Sequence, residues 1–192
     1  MTIQAQYLQK RTTATEAMRH VRSGDSIIVP TGVGEPPALL TALSEQRQQF
    51  QDVKVAQILA LRKYAYFDPE TAHHVRHVAL FYGPASRPGG QAGWVDFIPN
   101  YFSEIPQQIE RGQIPADVVF SMASPMDAHG YFSLSLGADY TMAALKTARA
   151  IVLEVNPNVP FAYGNCLVHI SQVAALVESD EPVLEVGLPT IG

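Results

Sequence analysis

The sequence predicts an α/β fold: an open, mostly parallel sheet with helices on both faces. Three observations carry this. The candidate strands, Ile27 to Val29, Val53 to Leu61, His77 to Tyr82, Val118 to Met122 and Ile151 to Val155, are apolar runs that read as continuous rather than alternating. That is the pattern of strands covered on both sides. Segments with helical spacing separate them, as crossovers between parallel strands require. Polar, turn-rich stretches follow three of the runs, at Thr31 to Gly34, Ser124 to Ser133 and Asn156 to Pro160.

In chain order, Thr13-Ala14-Thr15-Glu16 reads as a capping box opening a helix, with Thr13 accepting from the amide three residues on and Glu16 reaching back. Ala14, Ala17, Met18 and Val21 share its apolar face, and Gly24 supplies the stop. Asp25 to Pro30 is a strand that meets Thr31-Gly32-Val33-Gly34, and Pro36-Pro37 can open a helix carrying Leu39, Leu40 and Leu43. The alternation continues through Val53 to Leu61, His77 to Tyr82, Trp94 to Pro99, a helix near Ser103 to Arg111, the Val118 strand, a helix near Asp139 to Ala148, and Ile151 to Val155. Ser86 to Gly93 carries Pro88 and three glycines, which weaken a helix and predict a loop. Beyond residue 175, Glu178-Ser179-Asp180-Glu181-Pro182 and Gly187 to Gly192 bring charges, Gly and Pro. No closing helix or strand is expected there.

Composition excludes several classes. A chain of 192 residues, 47% of them hydrophobic, fits one domain with a developed core. Thirteen Lys and Arg against 18 Asp and Glu leave a net charge of −5 and no basic footprint for nucleic acid. No apolar run approaches the ~20 residues of a membrane span. Met1 to Lys10 lacks the apolar core of a signal peptide, so a cytoplasmic location is expected. The single cysteine, Cys166, agrees with a reducing compartment and reads as a small buried hydrophobe rather than a nucleophile.

Ligands of open α/β sheets bind beyond the carboxyl ends of strands, and that selects the candidate site. In Gly32-Val33-Gly34-Glu35-Pro36 the glycines allow close backbone approach, and the amides opening the next helix favour a negative oxygen. The alternative is a plain strand-to-helix turn, since the third glycine of the dinucleotide fingerprint is missing. Ser124-Pro125-Met126-Asp127-Ala128-His129-Gly130 forms a turn in which Asp127 can bond nearby amides and Gly130 can adopt a left-handed conformation. On the functional reading, Ser124, Pro125, Asp127 and an exposed pair, Tyr131 and Phe132, shape the mouth of a cleft. Ser124 lacks the Gly-x-Ser-x-Gly elbow of a triad nucleophile. Asn156 opens the third turn-rich stretch. His73, His74 and His77 read as a solvated helix end, because no Cys, Asp or Glu stands at a spacing that closes a metal shell. No metal is expected, and His129 and His169 read as structural.

Asp117 to Ser133, the Ala148 to Asn156 run, and Gly164 with His169-Ile170-Ser171 resemble the N-terminal domain of the acetyl-CoA hydrolase and CoA-transferase family, near the acetate and 4-hydroxybutyrate CoA-transferases. Gly32 to Pro37, Asp96-Phe97-Ile98-Pro99 and Ser103-Glu104-Ile105-Pro106 are similar to it as well, in the family's order. The resemblance implies a CoA-transferase-like, NagB/RpiA-like architecture, with residues 1–180 as the N-terminal domain. Residues 181–192 would begin a linker to a second domain that this chain lacks. It also implies acyl-CoA and a carboxylic acid as substrates, with coenzyme A as the carried group. A half of such a protein should expose the apolar surface meant for its second domain, so a homo-oligomer is expected.

In the mechanism so implied, a glutamate attacks the thioester to give a mixed anhydride. CoA thiolate then forms a glutamyl-CoA, from which CoA passes to a second acid. That glutamate is expected in the second domain, so no catalytic residue is assigned here, and Glu35, Glu104, Glu154 and Glu178 do not take the role. The candidate cleft residues are Gly32, Val33, Gly34, Glu35, Pro36, Ser124, Pro125, Asp127, Gly130, Tyr131, Phe132 and Asn156. An acyl-CoA hydrolase is the near alternative, and a non-catalytic α/β binding module is the alternative of another class.

Overall fold

The computed structural model describes residues 2–185 and 187. Of the expected linker over residues 181–192, residues 186 and 188–192 lie outside them. The elements in chain order are α1 (Ile3–Lys10), α2 (Ala14–Ala17), β1 (Ser26–Ile28), α3 (Pro37–Glu45), β2 (Val53–Ile58), β3 (Val75–Phe81), α4 (Arg87–Ala92), β4 (Asp96–Phe97), α5 (Ile105–Glu110), β5 (Val118–Ala123), β6 (Tyr131–Ser133), α6 (Thr141–Thr147), β7 (Ala150–Val155), β8 (Leu167–His169) and β9 (Ala175–Glu178).

Seven strands form one sheet in the order β4-β3-β2-β1-β5-β7-β9, and every pairing in it is parallel. β6 and β8 make a separate antiparallel pair. The chain runs outward from β1 to β4, then returns to β5 on the other side of β1. Strand order therefore reverses between β1 and β5, where open α/β sheets form their ligand crevice.

Alternate strand residues feed opposite layers, which explains the continuous apolar runs. Ile27, Val29, Phe120 and Val152 pack with Leu39, Leu40 and Leu43 of α3. Ile28 and Val119 pack with Ile105 and Ile109 of α5 and Tyr140 and Ala144 beside and within α6. A third cluster joins Phe132, Leu153, Val168 and Ile170, with Ile3 and Tyr7 of α1 against it. Tyr140 ties one layer to the sheet: its buried hydroxyl donates to Val29 O at 2.5 Å and accepts from Ile58 N at 3.0 Å, where the β2–β3 register shifts.

Several elements differ from expectation. The capping box is present, with Glu16 N on Thr13 Oγ1 at 3.1 Å, but its helix is four residues long and continues as a 3-10 turn over Met18–His20. α1 carries no buried residue, so it had no apolar stripe to announce it. Within segment 86–93, Arg87–Ala92 form the helix α4 rather than a loop. Pro88 sits in its first turn, where no N–H is needed. Its glycines allow close packing: a Cβ on Gly90 would fall 2.4 Å from the Tyr82 ring. β9 forms at Ala175–Glu178, where no strand was expected, and Thr12 N donates to Leu176 O on its outer edge at 2.8 Å. The Trp94 to Pro99 strand shrinks to Asp96–Phe97.

His77 also departs from the sequence reading. It lies inside β3, fully buried rather than on a solvated helix end, with its ring centroid 4.4 Å from that of Phe67. Burial pushes its imidazole down to about 3, so it is neutral at physiological pH.

Tyr140→Phe should leave Val29 O and Ile58 N buried and unpaired, costing about 2 kcal/mol. Urea unfolding checks this: the midpoint should fall with the slope unchanged.

Candidate functional site

The glycine turn begins one residue after β1's continuation through Val29 and Pro30. Gly32–Gly34 forms a 3-10 turn, closed by Gly34 N on Thr31 O and Glu35 N on Gly32 O, both at 3.1 Å. Asp139 Oδ2 accepts Thr31 N at 2.8 Å and holds the turn from the far side of the crevice. Gly34 is there for space, since a Cβ would fall 2.8 Å from Gly137 Cα. Val33 and Thr31 stay half-buried at the rim, whereas Gly32, Gly34, Glu35 and Pro36 are buried.

Glu35 points inward. Its Oε2 accepts Gln57 Nε2 at 3.0 Å and Leu61 N at 3.3 Å, and its Oε1 lies 3.9 Å from Arg62 Nε. Burial raises its carboxyl above the ordinary range. Buried and bonded to Gln57 and Leu61, it supports the turn from beneath.

The amides that open α3 are not free to hold an oxyanion. Ala38 N and Leu39 N both donate to Glu154 Oε2, at 2.9 and 3.1 Å. Glu154 reaches them from β7 and is fully buried, and its Oε1 has no hydrogen-bond partner among the described residues. A carboxylate at a helix N-terminus is favoured by the helix dipole. Burial nevertheless dominates, and pushes this carboxyl up to about 7.

The second segment folds as the turn that its Asp127 and Gly130 allow. Ser124 is fully buried; its Oγ donates to Pro125 O at 3.0 Å and accepts Ser133 N at 2.9 Å. Asp127 Oδ1 accepts His129 N and Tyr131 N, both at 2.8 Å, and these amide bonds lower its pKa. Gly130 has φ of 88°, the left-handed conformation the turn demanded. Tyr131 is partly exposed and meets His169 edge to face, but Phe132 is fully buried and stacks on Tyr7. The expectation of an exposed aromatic pair is corrected: alternation along β6 sends Phe132 into the core. Pro125 lines an open hollow with Tyr7, Val155, Pro157 and Ser179.

Asn156 is buried too. Its Oδ1 accepts Asn158 N and its Nδ2 donates to Glu181 O, both at 2.8 Å. Asn158 Nδ2 donates to Asp180 O at 3.0 Å, so the two asparagines hold segment 180–181 across the strand ends. The Glu181 carboxylate in turn accepts from Arg62 Nη1 at 2.7 Å. Asp139, Gln57, Arg62, Glu154 and Glu181 thus join the expected segments into one rim. No local spacing announces them, because they come from separate loops and strands.

A doubly wound parallel sheet with a polar rim over its β1–β5 switch point is the arrangement in which open α/β folds bind ligands. The chain belongs to the acetyl-CoA hydrolase/transferase family, whose N-terminal domain it matches over residues 1–186. It is 41% identical over 97% of its length to a succinyl-CoA:cyclohexane-1-carboxylate CoA transferase of Geobacter metallireducens, covering 42% of that protein. It is 31% identical, again over 97%, to a 4-hydroxybutyrate coenzyme A transferase of Clostridium kluyveri, covering 43% of it. Among solved structures, RipA from Yersinia pestis superposes with a TM-score of 0.91 at 30% identity, over 100% of this chain and 47% of RipA. The chain therefore spans under half the length of the curated relatives it matches.

Because Glu154's folded-state pKa of about 7 stands above the ordinary 4.5, the folded protein keeps a proton that the unfolded chain gives up. The resulting stability is present below 4.5 and is lost as pH rises to about 7. Glu154→Gln should flatten that slope in denaturant unfolding measured across the window.

Proposed function

We propose that this chain forms one wall of the active site of a CoA-transferase that moves CoA between a short-chain acyl-CoA and a carboxylic acid. The 41% identity to a named CoA transferase over 186 residues, 97% of this chain, is the observation that carries this reading. The different acids in the relatives' names support a shared reaction with a variable acid. The nucleophile is a glutamate on the domain that follows in longer relatives. It attacks the thioester carbonyl, expels CoA thiolate and forms a mixed anhydride. The thiolate then attacks the glutamyl carbonyl, releasing the first acid and leaving a glutamyl-CoA thioester.

Within that scheme the Gly32 to Pro36 turn, the Pro125 to Tyr131 loop and the Asn156 turn shape the cleft. Thr31, Val33, Pro125 and Tyr131 offer accessible atoms there, while Glu35, Ser124 and Asn156 hold the wall in position. Exposed Phe81, Phe97, Tyr101 and Phe102 support a further packing surface near the ends of β3 and β4, consistent with a second domain and a homo-oligomer.

The full-length protein should exchange CoA between acetyl-CoA and an added carboxylic acid. Acid-independent release of free thiol would instead identify a hydrolase, and neither activity would leave a binding module. The 192-residue chain alone should show no exchange, as measured by formation of the new acyl-CoA.

A further inference from the structure

The rim carries one guanidinium that its own fold underuses. Lys63 and Arg87 also stand near strand ends, but both are exposed, and Lys63 is already paired with Asp68 at 2.7 Å. Arg62 is different: its side chain is only 28% exposed and lies beside the glycine turn, with Nε 3.9 Å from the buried Glu35 Oε1. Of its five N–H donors, one makes a hydrogen bond among the described residues, from Nη1 to Glu181 Oε2 at 2.7 Å. Glu181 is half exposed and lies beyond β9, outside the sheet.

A guanidinium fork matches a carboxylate in two-point geometry. Here it is engaged at a single point by a carboxylate from a surface segment. Glu35 does not satisfy it, because the pair is beyond hydrogen-bond distance and burial favours the neutral acid. Replacing Glu181 with an incoming carboxylate exchanges one charge-assisted bond for another and lets a second form. The neighbouring Asn156 and Asn158 hold the Glu181 carbonyl rather than its side chain. The carboxylate can therefore leave without unfolding the segment.

We propose that Arg62 binds the carboxylate of the acid substrate, and that Glu181 occupies that position when no acid is bound. The inference rests on the CoA-transferase reading and names the group in this wall that recognises the second substrate. The acyl portion of acetyl-CoA has no free carboxylate, so Arg62 should distinguish the two substrates.

The test uses the full-length enzyme with acetyl-CoA and a carboxylic acid varied separately. Arg62→Ala should raise the KM for the acid roughly 10- to 100-fold, the loss expected for a charge-assisted bond. The KM for acetyl-CoA should stay within about twofold, the scatter of a substitution that touches no bond to it. Arg62→Lys keeps the charge but not the fork, and should fall between wild type and alanine; it decides the matter if the alanine variant does not fold. Glu181→Gln removes the competing carboxylate and should lower the acid's KM. An unchanged acid KM in the Arg62 variants overturns the proposal, as does a rise confined to acetyl-CoA, which would place Arg62 on the CoA moiety. Loss of exchange in the wild-type protein would instead defeat the transferase reading itself.

Discussion

The rim depends on one buried carboxylate. Glu154 reaches from β7 to the first amides of α3, and the glycine turn is the piece of chain that leads into that helix. A carboxyl oxygen placed there satisfies two donors that a helix start leaves open. It also decides what the helix terminus cannot do, since the amides are no longer available to a ligand. The turn itself is then held from three sides: Asp139 on Thr31, Gly137 against Gly34, and Glu35 anchored to Gln57 and Leu61.

Much of the fold was legible in the sequence because burial on both sheet faces leaves a simple mark. The runs at Ile27, Val118 and Ile151 have no polar side to alternate with. The failures have equally physical causes. α1 is amphipathic too weakly to read, β9 is an edge strand four residues long, and α4 uses glycines for packing that propensity scores against a helix. His77 looked polar and exposed beside His73 and His74, yet its ring fills an aromatic cluster with Tyr66 and Phe67.

The position of the candidate site at the strand ends was legible, and the hydrogen-bond partners of its residues were not. Strand ends and glycine turns point to the crevice through local sequence. Whether Ser124 or Asn156 faces ligand or backbone depends on partners at Ser133, Asn158 and Glu181, which no spacing rule supplies. Arg62 and Glu181 are 119 positions apart. Only the parallel sheet, which brings successive strand ends to one side, places them together.

The outer flank of β9 has a consequence for how this molecule meets others. A terminal strand with open N–H and C=O groups invites pairing with another chain, and here the Thr12 amide already occupies Leu176 O. At the opposite margin, β4 is two residues long and soon meets Pro99. Both margins of the sheet are thereby blunted against strand-to-strand aggregation, one by a capped carbonyl and the other by its shortness.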